Sequence, residues 1–222
     1  MLVKPGPFGY NENVSEEKGG TPVEEQELEC IRRCQQGDPQ AFEEIVKLYE
    51  KRIYNLSFRM MGNHEDANDL AQEAFIRVYH SIEQFRGDAR FSTWLYRIAT
   101  NVCLDELRKR SRRQTESLDE PVPTADGEVL REIPDWANNP EEELDRSEIQ
   151  NMVQRGIQAL PDEQRTALIL RDLQGHTYEE IAEILDISLG TVKSRINRGR
   201  MALKGLFEKD RELLLSVSRP MD

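Results

Sequence analysis

Five of the six residues in "RKRSRR", positions 108–113, are arginine or lysine. They close a helix-like stretch that opens on Phe91, Trp94 and Tyr96. Cations at that density offer a surface to phosphate. Complementing the negative end of a helix would need only one or two of them. Aromatic rings beside such a cluster can stack on unpaired bases, at about 1–3 kcal/mol per base. Asn101, midway along the stretch, can hydrogen-bond a base edge that has left the duplex. The chemistry on offer is binding, with the aromatics divided between that role and a core.

A second stretch, "GHTYEEIAEILDISLGTVKSRINRGRMALKGL", carries a different binding signature. Thr177 followed three residues later by Glu180 is a capping box, so a helix starts there with Ile181, Ile184 and Leu185 inward. After the short turn "DIS", Ser188 can cap a second helix whose Leu189, Val192 and Ile196 point back to the first. Its outer face carries Lys193, Arg195, Arg198, Arg200 and Lys204, with Thr191, Ser194 and Asn197 between them. No acid occurs between Asp186 and Glu208. A merely solvated helix mixes both charge signs, whereas a helix entering the major groove excludes carboxylates and needs donors for base edges. A DNA-reading helix-turn-helix is therefore expected. Gly199 inside that helix points to a close approach by another element.

No constellation for catalysis accompanies these surfaces. There is no Gly-rich phosphate loop with its lysine and no nucleophile–base arrangement, so no catalytic residue and no cofactor are expected. Cys30 and Cys34, one helical turn apart, lack the two further ligands a zinc site needs. With Cys103 they read as reduced thiols on helix faces. His64, His80 and His176 are scattered singly, and no metal site is expected.

The elements that must position these surfaces are helical. No strand-like alternation or hairpin dipeptide stands out, so the fold class expected is all-α, two small helical domains joined by an acidic flexible linker. Gly37 ends one helix, and Asp38 with Pro39 starts the next. That helix turns Phe42, Ile45, Val46, Tyr49, Ile53 and Leu56 to one side, and Gly62-Asn63 stops it. A third runs from about Glu65 with Leu70, Ala74, Phe75, Val78 and Ile82 inward. "EQFRGDAR" is a loop, after which Ser92 or Thr93 can cap the helix that holds Asn101.

Charge follows the same division. The chain of 222 residues has a net charge of −12. Residues 1–29 carry −5 and 116–148 carry −10, which leaves +3 for the rest. The acid sits in segments without helical periodicity, one of them rich in proline. The expected organisation is an acidic disordered extension over 1–23, a helical domain over 24–113, a linker over 114–142, a second domain over 143–209 and a tail over 210–222. No run of about 18 apolar residues could span a membrane, and the N-terminus lacks a signal-peptide pattern. A cytoplasmic protein is expected.

With these residues in view, "DANDLAQEAFIRVYHSIEQFRGDARFSTWLYRIATNVCLDELRKRSRR" and "LPDEQRTALILRDLQGHTYEEIAEILDISLGTVKSRINRGR" together resemble a bacterial extracytoplasmic-function sigma factor. Such proteins are initiation subunits of RNA polymerase with domains called σ2 and σ4, and the resemblance spans about residues 24–209. It implies a function in directing core polymerase to −10 and −35 promoter elements and promoting their melting, in a stress-response regulon. It implies that the "DLAQEAF" helix docks on the clamp helices of the largest polymerase subunit through Asp69, Gln72 and Glu73, with σ4 on the flap of the second-largest subunit. Asn68 stands where the family often has an acid.

The resemblance further implies that "QFRGDARF" captures a flipped −10 base lined by Phe85, Arg86 and Asn101. Arg97 and the cluster Arg108, Lys109, Arg110, Arg112 and Arg113 would lie on phosphate. The −35 element would be read by Thr191, Lys193, Ser194, Asn197 and Arg198, assisted by Arg171. The linker would thread the channel that later holds nascent RNA, where its acid imitates RNA charge. An anti-sigma factor, which can hold such proteins at the membrane, is the remaining partner implied, without membrane insertion of this chain.

Overall fold

Each break between the first three helices follows from backbone chemistry. Helix α1 spans Pro22–Gln35, α2 Pro39–Met61 and α3 His64–Ser81. Gly37 and Gly62 hold φ of 87° and 85°, the left-handed region that only glycine enters without strain. Asn63 then caps α3 by accepting from the Asp66 amide at 2.8 Å. The structure is a computed structural model that describes the backbone of residues 22–116 and 140–217 and the side chains of 26–113 and 149–208. The expectations for residues 1–21 of the acidic extension, most of the linker and residues 218–222 of the tail lie outside the described residues, whereas the first helix begins within the extension at Pro22 and the last runs on into the tail as far as Val217.

Two compact units divide the chain between Ile45 and Val46, inside α2. In the first, Arg33 braces the α1–α2 turn. Its guanidinium donates to Asp38 at 2.7 and 3.0 Å and to Glu44 at 3.2 Å. The Cys30 thiol donates to the other Glu44 oxygen at 3.1 Å. These bonds hold the Asp38 and Glu44 carboxyls below their usual range. Cys30 and Cys34 are buried helix-face thiols, and burial pushes Cys34 up to about 11.

In the second unit, α3 continues through a 3-10 turn, Ile82–Gln84, into the loop before α4, Phe91–Glu116. Ile53, Leu56 and Met60 of α2, Ala74 and Val78 of α3, and Leu95, Ala99 and Cys103 of α4 are all at or near zero exposure. Each such aliphatic side chain contributes roughly 1.5–3 kcal/mol by leaving water. Leu70, expected inward, is half-buried. The start of α4 differs from expectation. Its first turn is closed by the Arg90 carbonyl, which accepts from the Trp94 amide at 3.1 Å. Ser92 and Thr93 thus lie inside the helix, and the cap position falls two or three residues earlier.

Helix α5, Pro140–Gln158, leads to α6, Asp162–Leu168, which widens into a π turn over Ile169–Leu173. Helices α7, Tyr178–Leu185, and α8, Leu189–Val217, follow. Thr177 and Glu180 form the expected capping box. Asp186 takes the left-handed conformation at φ 53°, and Ser188 accepts from the Thr191 amide at 3.2 Å. Val192 and Ile196 are buried against Ile181 and Ile184 as expected, but Leu189 is 36% exposed. It occupies the first position of α8, before the helix reaches the α7 face. Gly199 is buried, and a Cβ there would meet Leu168 Cδ1 at 3.1 Å and the Gln164 carbonyl at 3.4 Å. The close approach inferred from the sequence is therefore to α6.

The second unit joins the two helical regions directly. Arg165 on α6, 7% exposed, donates to the carbonyls of Ile157, Gln158 and Leu160 and to that of Met60, the last at 3.0 Å. A buried cation between the carbonyl ends of α2 and α5 meets the negative poles of both helix dipoles. Gln158 donates to the Arg59 carbonyl at 2.8 Å, and Gln154 accepts from the Arg59 guanidinium at 2.8 Å. Helix α7 lies against α4. Among the described residues there is no strand.

Candidate nucleic-acid interface

Phe85 anchors the loop before α4. It is 9% exposed, edge-on to Phe91 at 5.4 Å and 5.2 Å from the Trp94 ring. The aromatic cluster pins the loop at its two ends. Arg86, Gly87 and Asp88 between them stay exposed. Phe85 is thus placed beneath the loop, and Arg86 on its surface. On α4 itself Arg97 and Asn101 are exposed one turn apart, on the face opposite Leu95 and Val102.

The basic end of α4 divides into two kinds of cation. Arg108, Lys109, Arg112 and Arg113 are exposed. Arg108 and Lys109 have weak helical neighbours in Asp105 and Glu106 at 3.2 and 3.8 Å. Exposed pairs of this kind contribute roughly 0–1 kcal/mol, so phosphate can displace them. Arg110 is different. It donates to Glu106 at 3.0 Å and, across to the start of α3, to Asp66. Arg110 is the first cause of the lowered Asp66 pKa, and it braces α4 on α3.

On α8, Lys193, Asn197 and Arg198 are exposed, and Thr191 and Ser194 are half-buried. The Ser194 hydroxyl donates to the Thr191 carbonyl at 2.9 Å. These five share one face. Two cations that the sequence placed on the outer face are turned away from it. Arg195 pairs with Glu163 of α6 at 2.7 Å, and Arg200 donates to Asp172 in the π turn at 2.9 Å. Arg171 donates to the His176 carbonyl at 2.8 Å and lies over the Tyr178 ring at 4.9 Å. It therefore buttresses the start of α7.

On α3, Asp69 and Gln72 are exposed, while Glu73 accepts from Arg77 at 2.7 Å. Ile76 and Tyr79 on the same helix are 45% and 50% exposed. Gln72 also edges an apolar groove of about 430 Å³ between α2 and α3, floored by Val46, Tyr54 and Phe75. Sequence reasoning missed the apolar members of this surface, although Ile76 and Tyr79 follow Gln72 and Glu73 at helical spacing.

Tyr96, one of the aromatics that open the basic stretch, belongs to the core at 3% exposure. Its hydroxyl donates to Gln174 Oε1 at 2.7 Å, and its ring meets His176 edge-on at 4.3 Å. Near it Arg90 pairs with Glu180 at 3.6 Å. Among the described residues no group of His, Cys, Asp or Glu is arranged to hold a metal. None of the helices there is long and apolar enough to cross a membrane.

An all-helical chain with a basic, aromatic-rooted helix and a separate helix-turn-helix has the layout of sigma-70-type proteins. The Sigma-70 region 2 family matches residues 45–113, and Sigma-70, region 4 matches residues 150–203. The chain is 43% identical over 175 residues to the ECF RNA polymerase sigma factor SigW of Bacillus subtilis, covering 78% of this chain and 92% of that one. It is 40% identical over 187 residues to the RNA polymerase sigma-H factor of Pseudomonas aeruginosa, covering 82% and 93%. The fold matches that of the sigma factor RpoE from Bartonella quintana, solved in complex with the anti-sigma factor NepR. The TM-score is 0.60 at 23% identity, over 75% of this chain and 96% of that one. The chain belongs to the extracytoplasmic-function sigma-70 family of RNA polymerase sigma factors, and its function is promoter-specific initiation of transcription.

Proposed function

We propose that the chain reads its promoter with two separate surfaces while bound to core RNA polymerase. The observation that carries this is the pairing of an exposed Asn101 and basic α4 end with an acid-free, exposed face on α8. Residues 24–113 act as σ2. The loop around Arg86, with Asn101, takes up a flipped −10 base above the Phe85 ring, and Arg97, Arg108, Lys109, Arg112 and Arg113 track the phosphates. Residues 143–209 act as σ4, with Thr191, Lys193, Ser194, Asn197 and Arg198 in the −35 major groove. Arg110 and Arg171 support these surfaces from behind.

Asp69, Gln72 and Glu73, with Ile76 and Tyr79 beside them, dock on the clamp helices of the largest subunit. The flap of the second-largest subunit takes σ4. Acid in 116–148 occupies the nascent-RNA channel. The protein works in the cytoplasm without enzymatic activity, serves a stress regulon and is held by an anti-sigma factor that can tether it to the membrane.

Run-off transcription with purified core polymerase, followed by sequencing of the start sites, tests this reading. Start sites sharing a −35 and a −10 motif are expected only when both the chain and core are present. Tight binding to duplex DNA by the chain alone, with no transcript from the mixture, would make it a simple helix-turn-helix regulator instead.

A further inference from the structure

Two cations of α8 are withheld from its exposed face, and they are withheld to opposite sides. Arg195 pairs with Glu163 in the first turn of α6 at 2.7 Å. Arg200 pairs with Asp172 in the π turn that ends the same helix. At about 100° per residue, the two arginines stand about 140° apart around α8. Val192, Ile196 and Gly199 fall between them and are buried. Ser194, Asn197 and Arg198 fall on the far side.

These contacts constrain different motions. Apolar burial is non-directional, so the buried stripe fixes how closely α8 approaches α6 and α7 but leaves its roll about its own axis weakly specified. The two ion pairs act off the axis, one on each flank, and together they oppose roll in either sense. The Arg200 flank is reinforced. Its guanidinium meets both oxygens of Asp172 and also bonds Tyr178. The Tyr178 ring carries the Arg171 guanidinium at 4.9 Å, and Arg171 is itself fixed on the His176 carbonyl.

Both pairs are partly exposed, with Glu163 at 70% and Arg200 at 49%, so they add little to stability. Their leverage is geometric. A side-chain tip lies about 5–6 Å from the helix axis, so a roll of about 10° moves it by about 1 Å. Recognition geometry has to be held within about 0.5 Å.

We infer that Glu163 and Asp172 are positioning residues for reading the −35 element, fixing the roll of α8 between them through Arg195 and Arg200. The inference rests on the promoter-reading function proposed above. Neither acid touches a base. They decide which base edges the polar side chains of α8 can reach.

Holoenzyme assembled from core polymerase and the full chain tests this on a template pool with a randomised −35 element and a constant −10 element. Glu163→Ala and Asp172→Ala each free one flank. Each should lower discrimination at one or more −35 positions by about threefold or more, while the melting temperature falls by less than about 4 °C. Because the flanks oppose each other, the two variants roll α8 in opposite senses and should shift base preference differently. Asp172→Arg combined with Arg200→Asp restores the pair with its charges exchanged and should return the preference toward wild type.

Unchanged preference in both single variants would overturn the inference. So would an equal loss of transcription at every −35 sequence, which is what a purely structural role produces. Identical profiles for the two variants, or no recovery in the exchanged pair, would count against it in the same way. A wild-type holoenzyme that starts no transcripts would instead remove the promoter-reading function, so the two failures are distinguishable.

Discussion

Arg110 of α4 is bound to Asp66 at the start of α3, forty-four residues earlier in the chain. A residue that sits within a run of exposed cations is thereby assigned to the fold. Arg110→Ala should lower thermal stability by about 1 kcal/mol, or roughly 2–4 °C in melting temperature for a chain of this size. Arg112→Ala and Arg113→Ala should leave melting unchanged. Each should reduce the salt dependence of binding to −10 single-stranded DNA in the holoenzyme by about 0.7 in the log–log slope. Scanning fluorimetry and salt titrations separate the two classes, and equal effects on melting would contradict this division.

Base reading should respond differently at the two surfaces. Asn101→Ala is expected to impair promoter opening, seen as lost permanganate reactivity around −10, with closed-complex formation retained. Arg198→Ala should relax base preference within the −35 element at a discrimination cost of about 1–3 kcal/mol. Transcription from promoter variants reads that relaxation. Wild-type initiation by both variants would remove these assignments.

Packing on α8 gives a contrast between two glycines. A Cβ at Gly199 would press on Leu168, whereas one at Gly190 would meet only Ser188 Oγ at 3.9 Å. Gly199→Val should therefore destabilise by at least the 1–3 kcal/mol typical of overpacking. Gly190→Ala should be neutral or gain up to about 1 kcal/mol of helix propensity. Denaturant titration of the full chain measures both.

His176 predicts a pH dependence with a definite sign. Burial lowers its pKa from 6.5, an effect that outweighs the opposing pull of Glu180, while Arg52 lowers it further. The unfolded chain therefore takes up this proton first as pH falls. Stability from the neutral imidazole is complete above about pH 6.5 and declines as pH drops from there toward the lower folded value. Between pH 7.5 and 5.5, His176→Gln should lose less melting temperature than the wild type. A parallel decline in both would show that other groups dominate.

The helices were legible in the sequence wherever their signals were local. Gly62-Asn63 and the Thr177–Glu180 box each need only a few neighbouring residues to act, and both stand where expected. The exposed basic and polar side chains of α8 were legible because an acid-free face is a property of one helix. What could not be read depends on partners far along the chain. Arg195 looks like Arg198 until Glu163 of α6 is placed beside it. Tyr96 looks like a stacking ring until the π turn brings Gln174 to its hydroxyl. Phe85 belongs to both worlds, since the same ring that shapes a loop is also packed beneath it.

The π turn at Ile169–Leu173 closes α6 with a wide bond in which the Gln174 amide donates to the Ile169 carbonyl at 3.0 Å. Each residue of an α-helix advances the azimuth by about 100°. Shortening this last turn by one peptide would turn Gln174 away from the Tyr96 hydroxyl that it accepts from. Which side chain greets α4 is thus stored as a length, in the final turn of a different helix.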